Sequence, residues 1–417
     1  MSTAPSVPHL PHGIGNRAMV ALIGCLLMLQ AVSTDLYLAS LPGLTRTFAT
    51  SVAAAQLTLS VWIAAFGVMQ LFAGPMSDRY GRRRVLSAGL ALYIAASIGC
   101  ALAPSIEMLI VARFFQAVGC CAVVVVARAV IRDVYDPIAG ARVLAQASSV
   151  LAIGPIVGPI LGSFLEVRFG HRAAFVALAI FATVLLVATL AKLAETNRER
   201  DPAATRPRAL AANYRRVLRS PEFRAYTLVA CASYGGLFAF ISGASFVLIR
   251  VLGVPTAYFG FGFAFCVGGY LVGTIVCRSL LSRMNVQRTL RTGAVLSLLG
   301  GMTMAALAGA GVHHWAALLG PAFVFFLAHG INFPCGQAGS VAPFPRLAGA
   351  AAGLFGFLVM AVAALTGAWI GATYNGTVYP LVLTIAVHAA VVFVTVFRWV
   401  ARLGPRRAAA ANIDAGI

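Results

Sequence analysis

GPMSDRYGRRRV, residues 74–85, is the stretch whose reading decides the fold of this chain. It places Asp78, Arg79, Arg82, Arg83 and Arg84 within seven residues, with Gly74, Pro75 and Gly81 beside them. On either side lie apolar runs of about twenty residues, the length that crosses the ~30 Å hydrocarbon core of a bilayer. Two glycines allow a tight turn between the ends of the flanking helices. Arginines do not enter hydrocarbon cheaply, so they hold the loop on one face of the membrane. Asp78 is placed to pair with an arginine or to cap the next helix.

The rest of the 417 residues extends this pattern: 60% are hydrophobic and 10% charged, against about 25% charged in a soluble domain. The apolar runs are continuous rather than alternating, which predicts membrane-spanning helices and argues against a β-barrel. Twelve spans are expected, near 19–43, 53–75, 84–103, 106–128, 141–164, 172–193, 224–249, 257–278, 290–310, 314–335, 347–371 and 378–400. The first is too long for the apolar core of a cleavable signal peptide.

The net charge of +20 first suggests nucleic acid, but the charges lie in loops on one face of the membrane. With both termini cytoplasmic, the outer loops hold Arg46, Arg168, Arg172 and Arg250, Arg113 lies within a span, and the other basic residues fall on the inner side. This asymmetry predicts cytoplasmic termini and an even number of spans. The polar segment 194–222 divides six spans from six. The expected organisation is a six-helix bundle over 1–193, a solvated cytoplasmic linker over 194–223 and a second bundle over 224–417. Arg278, Arg283, Arg288 and Arg291 lie where a second copy of the 74–85 loop would fall, without its GPxSDRxG frame. Eight cysteines sit in apolar runs without CxxC or metal spacing, so they read as packing residues rather than a disulfide frame.

The chemistry concentrates in a few intramembrane polar residues. Asp35, in STDLYLASLP (33–42), lies well inside a span with no basic neighbour on its own helix. An acid in a low-dielectric cavity can take up and release a proton, and an intramembrane acid is a functional hypothesis by default. Arg113, which opens RFFQAVG (113–119), lies deep in the fourth span, and its permanent charge requires a polar cavity or acceptor. Gln116 shares its face one turn on. Arg128, Arg132 and Asp133 close the same helix, placing Asp133 to pair with an arginine of the 74–85 loop. In GPIVGPILG (154–162), Gly154, Gly158 and Gly162 line one face for close helix approach, and Pro155 and Pro159 remove hydrogen bonds. Tyr37, Trp62, Phe66, Gln116, Tyr234 and Phe238 are candidate cavity-lining contacts, and His329 is left outside the proton site. The chain has no GxxxxGK[ST] phosphate loop, catalytic dyad or metal-ligand spacing. No enzyme activity, ATP-driven pumping or cofactor is therefore expected.

The 74–85 stretch resembles the loop between the second and third helices of the major facilitator superfamily. R-x-x-Q-A-x-G is similar to that superfamily's fourth-span motif, whose arginine is implicated in proton coupling. G-P-x-x-G-P-x-x-G resembles the antiporter motif of its proton-driven exporters. Together with STDLYLASLP, the set closely resembles the Bcr/CflA drug-resistance branch of the drug:proton antiporters, although the specific motifs all lie in the first half. The resemblance implies an all-α membrane protein of twelve transmembrane helices in two pseudo-symmetric six-helix bundles, in a bacterial inner membrane. It implies proton coupling through Asp35 and Arg113 and gating through Gly74, Asp78, Arg79, Gly81, Arg82, Arg83 and Asp133. The implied substrates are small bicyclomycin- or phenicol-like drugs, exported in exchange for protons; a monomer is expected. A metabolite exporter shares the fold and stands as the alternative.

Overall fold

The computed structural model describes residues 16–135, 143, 146–147, 154–197, 205–344 and 347–403. Among them there is no strand. The helices are α1 (Asn16–Asp35), α2 (Leu41–Thr47), α3 (Val52–Tyr80), α4 (Arg82–Leu102), α5 (Ile106–Val134), α6 (Gly154–Phe169) and α7 (Arg172–Lys192), followed by α8 (Pro207–Leu218), α9 (Pro221–Phe246), α10 (Thr256–Leu281), α11 (Val286–Gly309), α12 (Trp315–Val341), α13 (Ala348–Thr373) and α14 (Tyr379–Val394). Among the described residues, eleven helical segments are long and apolar enough to cross a bilayer, α1 and α2 counting as one. α6 is described over 16 residues; most of 141–153, the first part of the expected fifth span, lies outside the described residues.

The interior is apolar, but so is much of the outer surface. Leu102, Phe169, Ile180, Ile275, Leu365 and Trp369 face outward, while Ser33, Gln56, Arg113, Gln116, Ser233 and Asn332 are buried. Lipid solvates the first group, and the second must find partners inside. Helices α1 and α3–α7 pack on one another, as do α9–α14; the two sets meet chiefly where α3 lies on α13 and α6 on α10.

The 74–85 stretch is more helical than its glycines suggested. α3 continues through Gly74 and Pro75 to Tyr80, and the turn is confined to Gly81 at φ +100°. A side chain at Gly74 would meet nothing within 4 Å, so that glycine serves neither a turn nor a close approach. Pro75 lacks the N–H that would bond to the Leu71 carbonyl, and that carbonyl instead accepts the Tyr214 hydroxyl at 3.0 Å. Tyr214 belongs to α8, within the segment expected to be a solvated linker. The helix forms because Pro207 starts it, Val217 is buried, and Arg208, Arg215 and Arg216 remain on the exposed face.

Candidate functional site

Asp35 is the last residue of α1, where the first span comes apart. Pro42 has no N–H and cannot continue the ladder to Leu38, so the chain passes through a 3-10 turn, Leu38–Ser40, before α2 begins. The break stays inside the protein: Asp35 is 5% exposed. Thr34 Oγ1 lies 3.1 Å from Asp35 Oδ1 and 2.9 Å from the Ala31 carbonyl, with one proton to give.

The glycine face of α6 covers this break. A Cβ at Gly158 would lie 3.0 Å from Asp35 Cβ, and one at Gly162 would run into the Leu36 backbone, 2.9 Å from its carbonyl carbon. Gly154 lies against Met28 and Ala31. The opposite side of α6 touches α10, where Gly260 meets Pro159 and Ile160. The GPIVGPILG segment is thus held between the Asp35 break and the second set of helices.

Asp35 lines a cavity of about 540 Å³ between α1, α3 and α6 on one wall and α9, α10 and α12 on the other. Gln30, Tyr234, Phe238, Tyr270 and His329 share the lining. His329 Nδ1 lies 2.9 Å from Ser233 Oγ, and the rings of Tyr234, Tyr270 and Phe333 surround the imidazole at centroid distances of 5.8, 5.7 and 5.2 Å. The sequence reading left His329 outside the proton site; the structure puts it on the cavity wall.

Four of the six expected cavity contacts lie elsewhere. Tyr37, Trp62, Phe66 and Gln116 are buried in the first set of helices and do not line the cavity, whereas Tyr234 and Phe238 do. Tyr37, Trp62 and Gln116 instead contact Arg113, which is fully buried. Its Nη1 donates to Gln116 Oε1 at 2.6 Å and to the Ser33 carbonyl at 3.2 Å, and its Nε donates to the Thr58 carbonyl at 3.4 Å. The guanidinium lies 4.9 Å from the Tyr37 ring centroid, 5.4 Å from Trp62 and 5.9 Å from Phe175. A buried cation without a carboxylate is stabilised by carbonyl dipoles and aromatic faces. Phe66 stacks on Trp62 at 5.3 Å. Among the described residues Arg113 makes no hydrogen bond or ion pair with Asp35; it reaches α1 through the Ser33 carbonyl, two residues upstream.

On the opposite side of the chain's polar chemistry, Arg82 lies 2.5 Å from Asp78 and 2.8 Å from Asp133, and its Nη1 donates to Ser77 Oγ. Arg79 bonds Thr205, and Arg83 bonds the Leu190 carbonyl. Glu195, which the motif reading passed over, completes the cluster. Gly81 has no side chain to cap α4, so the Glu195 carboxylate accepts from the N–H of Arg82 at 2.8 Å and of Arg83 at 3.3 Å. An acid at a helix N-terminus satisfies orphan donors and complements the helix dipole. The available sequence signal was an acid three residues beyond the end of α7. Glu195→Ala is expected to lower stability by about 1–2 kcal/mol, read as a shift in detergent unfolding, with Glu195→Gln losing less. Equal stability of all three proteins would show that water caps α4 as well.

These cluster bonds stay within residues 77–205. Bonds between the two helix sets occur toward the other end. Gln56 and Ser242 exchange two, at 2.9 and 3.3 Å, and Arg250 donates to the Pro42 carbonyl at 2.5 Å and to Thr45. Ser40 donates to Glu166 at 2.6 Å nearby. Arg250 precedes α10, while the cavity extends to Arg278 in its last turn. Among the described residues the hydrogen bonds between the helix sets thus lie at the end remote from Arg278, while α3 also packs on α13 nearer the other end, Gly67 against Met360 and Gln70 against Gly356.

The Major Facilitator Superfamily model matches residues 23–368. The chain belongs to the Major Facilitator Superfamily, a family of transporters rather than enzymes. It is 25% identical over 365 residues to a bicyclomycin resistance protein homolog of Haemophilus influenzae, covering 88% of this chain and 92% of that one. It is 25% identical over 387 residues to the multidrug resistance protein MdtL of Escherichia coli, covering 93% and 96%. It is 28% identical over 377 residues to the uncharacterised MFS-type transporter YdgK of Bacillus subtilis, covering 87% and 90%. Its fold is similar to the crystal structure of a bacterial homologue of the human lysosomal transporter Spinster, described as inward-facing and unoccupied. That likeness has a TM-score of 0.66 at 17% identity and covers 92% of this chain and 95% of the other.

Proposed function

We propose that the protein is a proton-coupled exporter of small lipophilic drugs in a bacterial inner membrane. The observation that carries the reading is Asp35: a buried acid on a cavity wall, at a helix break, beneath the glycine face of α6. Protonation of Asp35 and occupancy of the cavity compete, so inward proton flow drives export. The relatives named for bicyclomycin and multidrug resistance support drugs as cargo. Twelve spans in two bundles, 1–193 and 224–417 joined by 194–223, rock about the cavity. Both termini lie on the cytoplasmic side, with the Arg82 cluster, and a monomer suffices because the cavity is formed within one chain.

In this reading the Gln56–Ser242 and Arg250–Pro42 contacts close the outer side. They separate when the cavity opens outward, and the rim carrying Asp78, Arg82 and Asp133 then closes against the second bundle. One proton exchanged for a neutral molecule gains roughly 2.3 kcal/mol per 100 mV, before any pH gradient.

The test is drug-driven proton movement in inverted membrane vesicles, with a phenicol and bicyclomycin as probes. Acceleration of pH-gradient decay by either drug in wild-type vesicles, and not in vesicles lacking the protein, supports antiport. No response to either removes these drugs as cargo. Competition by amino acids, sugars or nucleosides would point to a metabolite instead.

A further inference from the structure

Among the described residues, the cavity wall formed by α9, α10 and α12 carries a cation and no acid. Residues 223–413 contain no aspartate or glutamate, so no acid of that long stretch is available to neutralise its arginines. One of them, Arg278, lines the cavity. Both ion pairs among the described residues belong to Arg82, leaving Arg278 without an acidic partner there. It ends a stripe on α10 that runs Phe263, Val267, Tyr270, Thr274 and Arg278, all on the cavity wall. The spacing of three or four residues keeps these side chains on one face, graded from apolar to hydroxyl to cation over about 22 Å of helix. A positive charge in the last turn suits the helix dipole, but the dipole does not require that it face the cavity.

The other groups in reach suit an acceptor. No hydrogen bond involves the Gln30 amide or the Tyr270 hydroxyl among the described residues, and both residues line the cavity. The charged acceptor on the wall is Asp35, across from α10.

Resting on the reading of this cavity as the substrate path, we infer that its preferred cargo is an amphiphile carrying one carboxylate, held by Arg278 with its apolar body toward Tyr270, Phe333 and Tyr234. Guanidinium binds carboxylate through two parallel hydrogen bonds, which supplies orientation as well as affinity.

The experiment is isothermal titration of the full-length protein in neutral detergent with biphenyl-4-carboxylate and its methyl ester. The wild type is expected to bind the acid about tenfold more tightly than the ester. Arg278→Gln removes that preference and leaves ester affinity unchanged, while Arg278→Lys retains part of it. Equal wild-type affinities, binding of neither probe, or an acid preference that survives Arg278→Gln overturns the inference. So does a result in which Arg278→Gln weakens phosphatidylglycerol binding but not carboxylate binding, since Arg278 then serves a lipid headgroup. Proton movement on adding the ester to inverted vesicles reads the antiport mechanism separately. If it is absent while the acid preference holds, antiport fails and the carboxylate site stands.

Discussion

Asp35→Asn is expected to reduce drug-driven proton movement to the vesicle background, a loss of roughly 100-fold or more, because an amide has no proton to exchange near neutral pH. The substitution is nearly isosteric. The oxygen of the introduced amide can still accept from Thr34 Oγ1, which lies 3.1 Å from the carboxylate in the native protein. The glycine face of α6 meets the same Cβ. Expression and gel-filtration behaviour should therefore match wild type, and drug binding should persist. Full proton movement in the variant would make Asp35 a structural acid and move attention to His329, which lines the same cavity. Loss of both binding and folding would show instead that the helix break needs the carboxylate.

Gly162→Ala is expected to abolish or severely impair transport, whereas Gly74→Ala is expected to be neutral or mildly stabilising. The added methyl at position 162 would drive into the Leu36 backbone, which follows Asp35. Backbone cannot rotate away as a side chain can, so α6 must move off the first span or the break must reshape. Overpacking of this kind costs typically about 1–3 kcal/mol, and here the strain falls beside the proposed proton site. Gly74 lies inside α3 with nothing within 4 Å of an added Cβ. Alanine there removes a helix-weakening glycine worth roughly 0.5–1 kcal/mol. Transport rate and unfolding midpoint of the two variants, measured side by side, check the contrast. An active Gly162→Ala protein would mean that the α1–α6 contact is loose. An inactive, well-folded Gly74→Ala protein would mean that Gly74 acts in a conformation other than this one.

The motif reading treated Gly74 and Gly81 alike because both punctuate the same charged stretch. The fold separates them: Gly81 takes a φ of +100° and faces Glu195, while Gly74 is ordinary helix. Motif spacing placed Asp133 to pair with an arginine of the 74–85 loop, and the fold makes that arginine Arg82. It did not locate Glu195, because a cap contributed from 113 residues away leaves no local pattern.

The sequence by itself determined the membrane class, most span positions, the superfamily and the isolation of Asp35 within an apolar run. Each of these follows from chain-local quantities: continuous hydrophobicity, charge asymmetry, and motif residues close together in sequence. The tertiary structure decided which polar and aromatic residues share a space. It turned Tyr37, Trp62 and Gln116 toward Arg113, brought His329 and Arg278 to the cavity, and set Gly158 against Asp35. The physical reason lies in the solvent. A helix of a soluble protein marks its buried face by contrast with a polar one, but lipid is as apolar as a protein core, so membrane helices are apolar on nearly every side. Which face meets lipid, a neighbour or the cavity is then fixed by packing between distant segments.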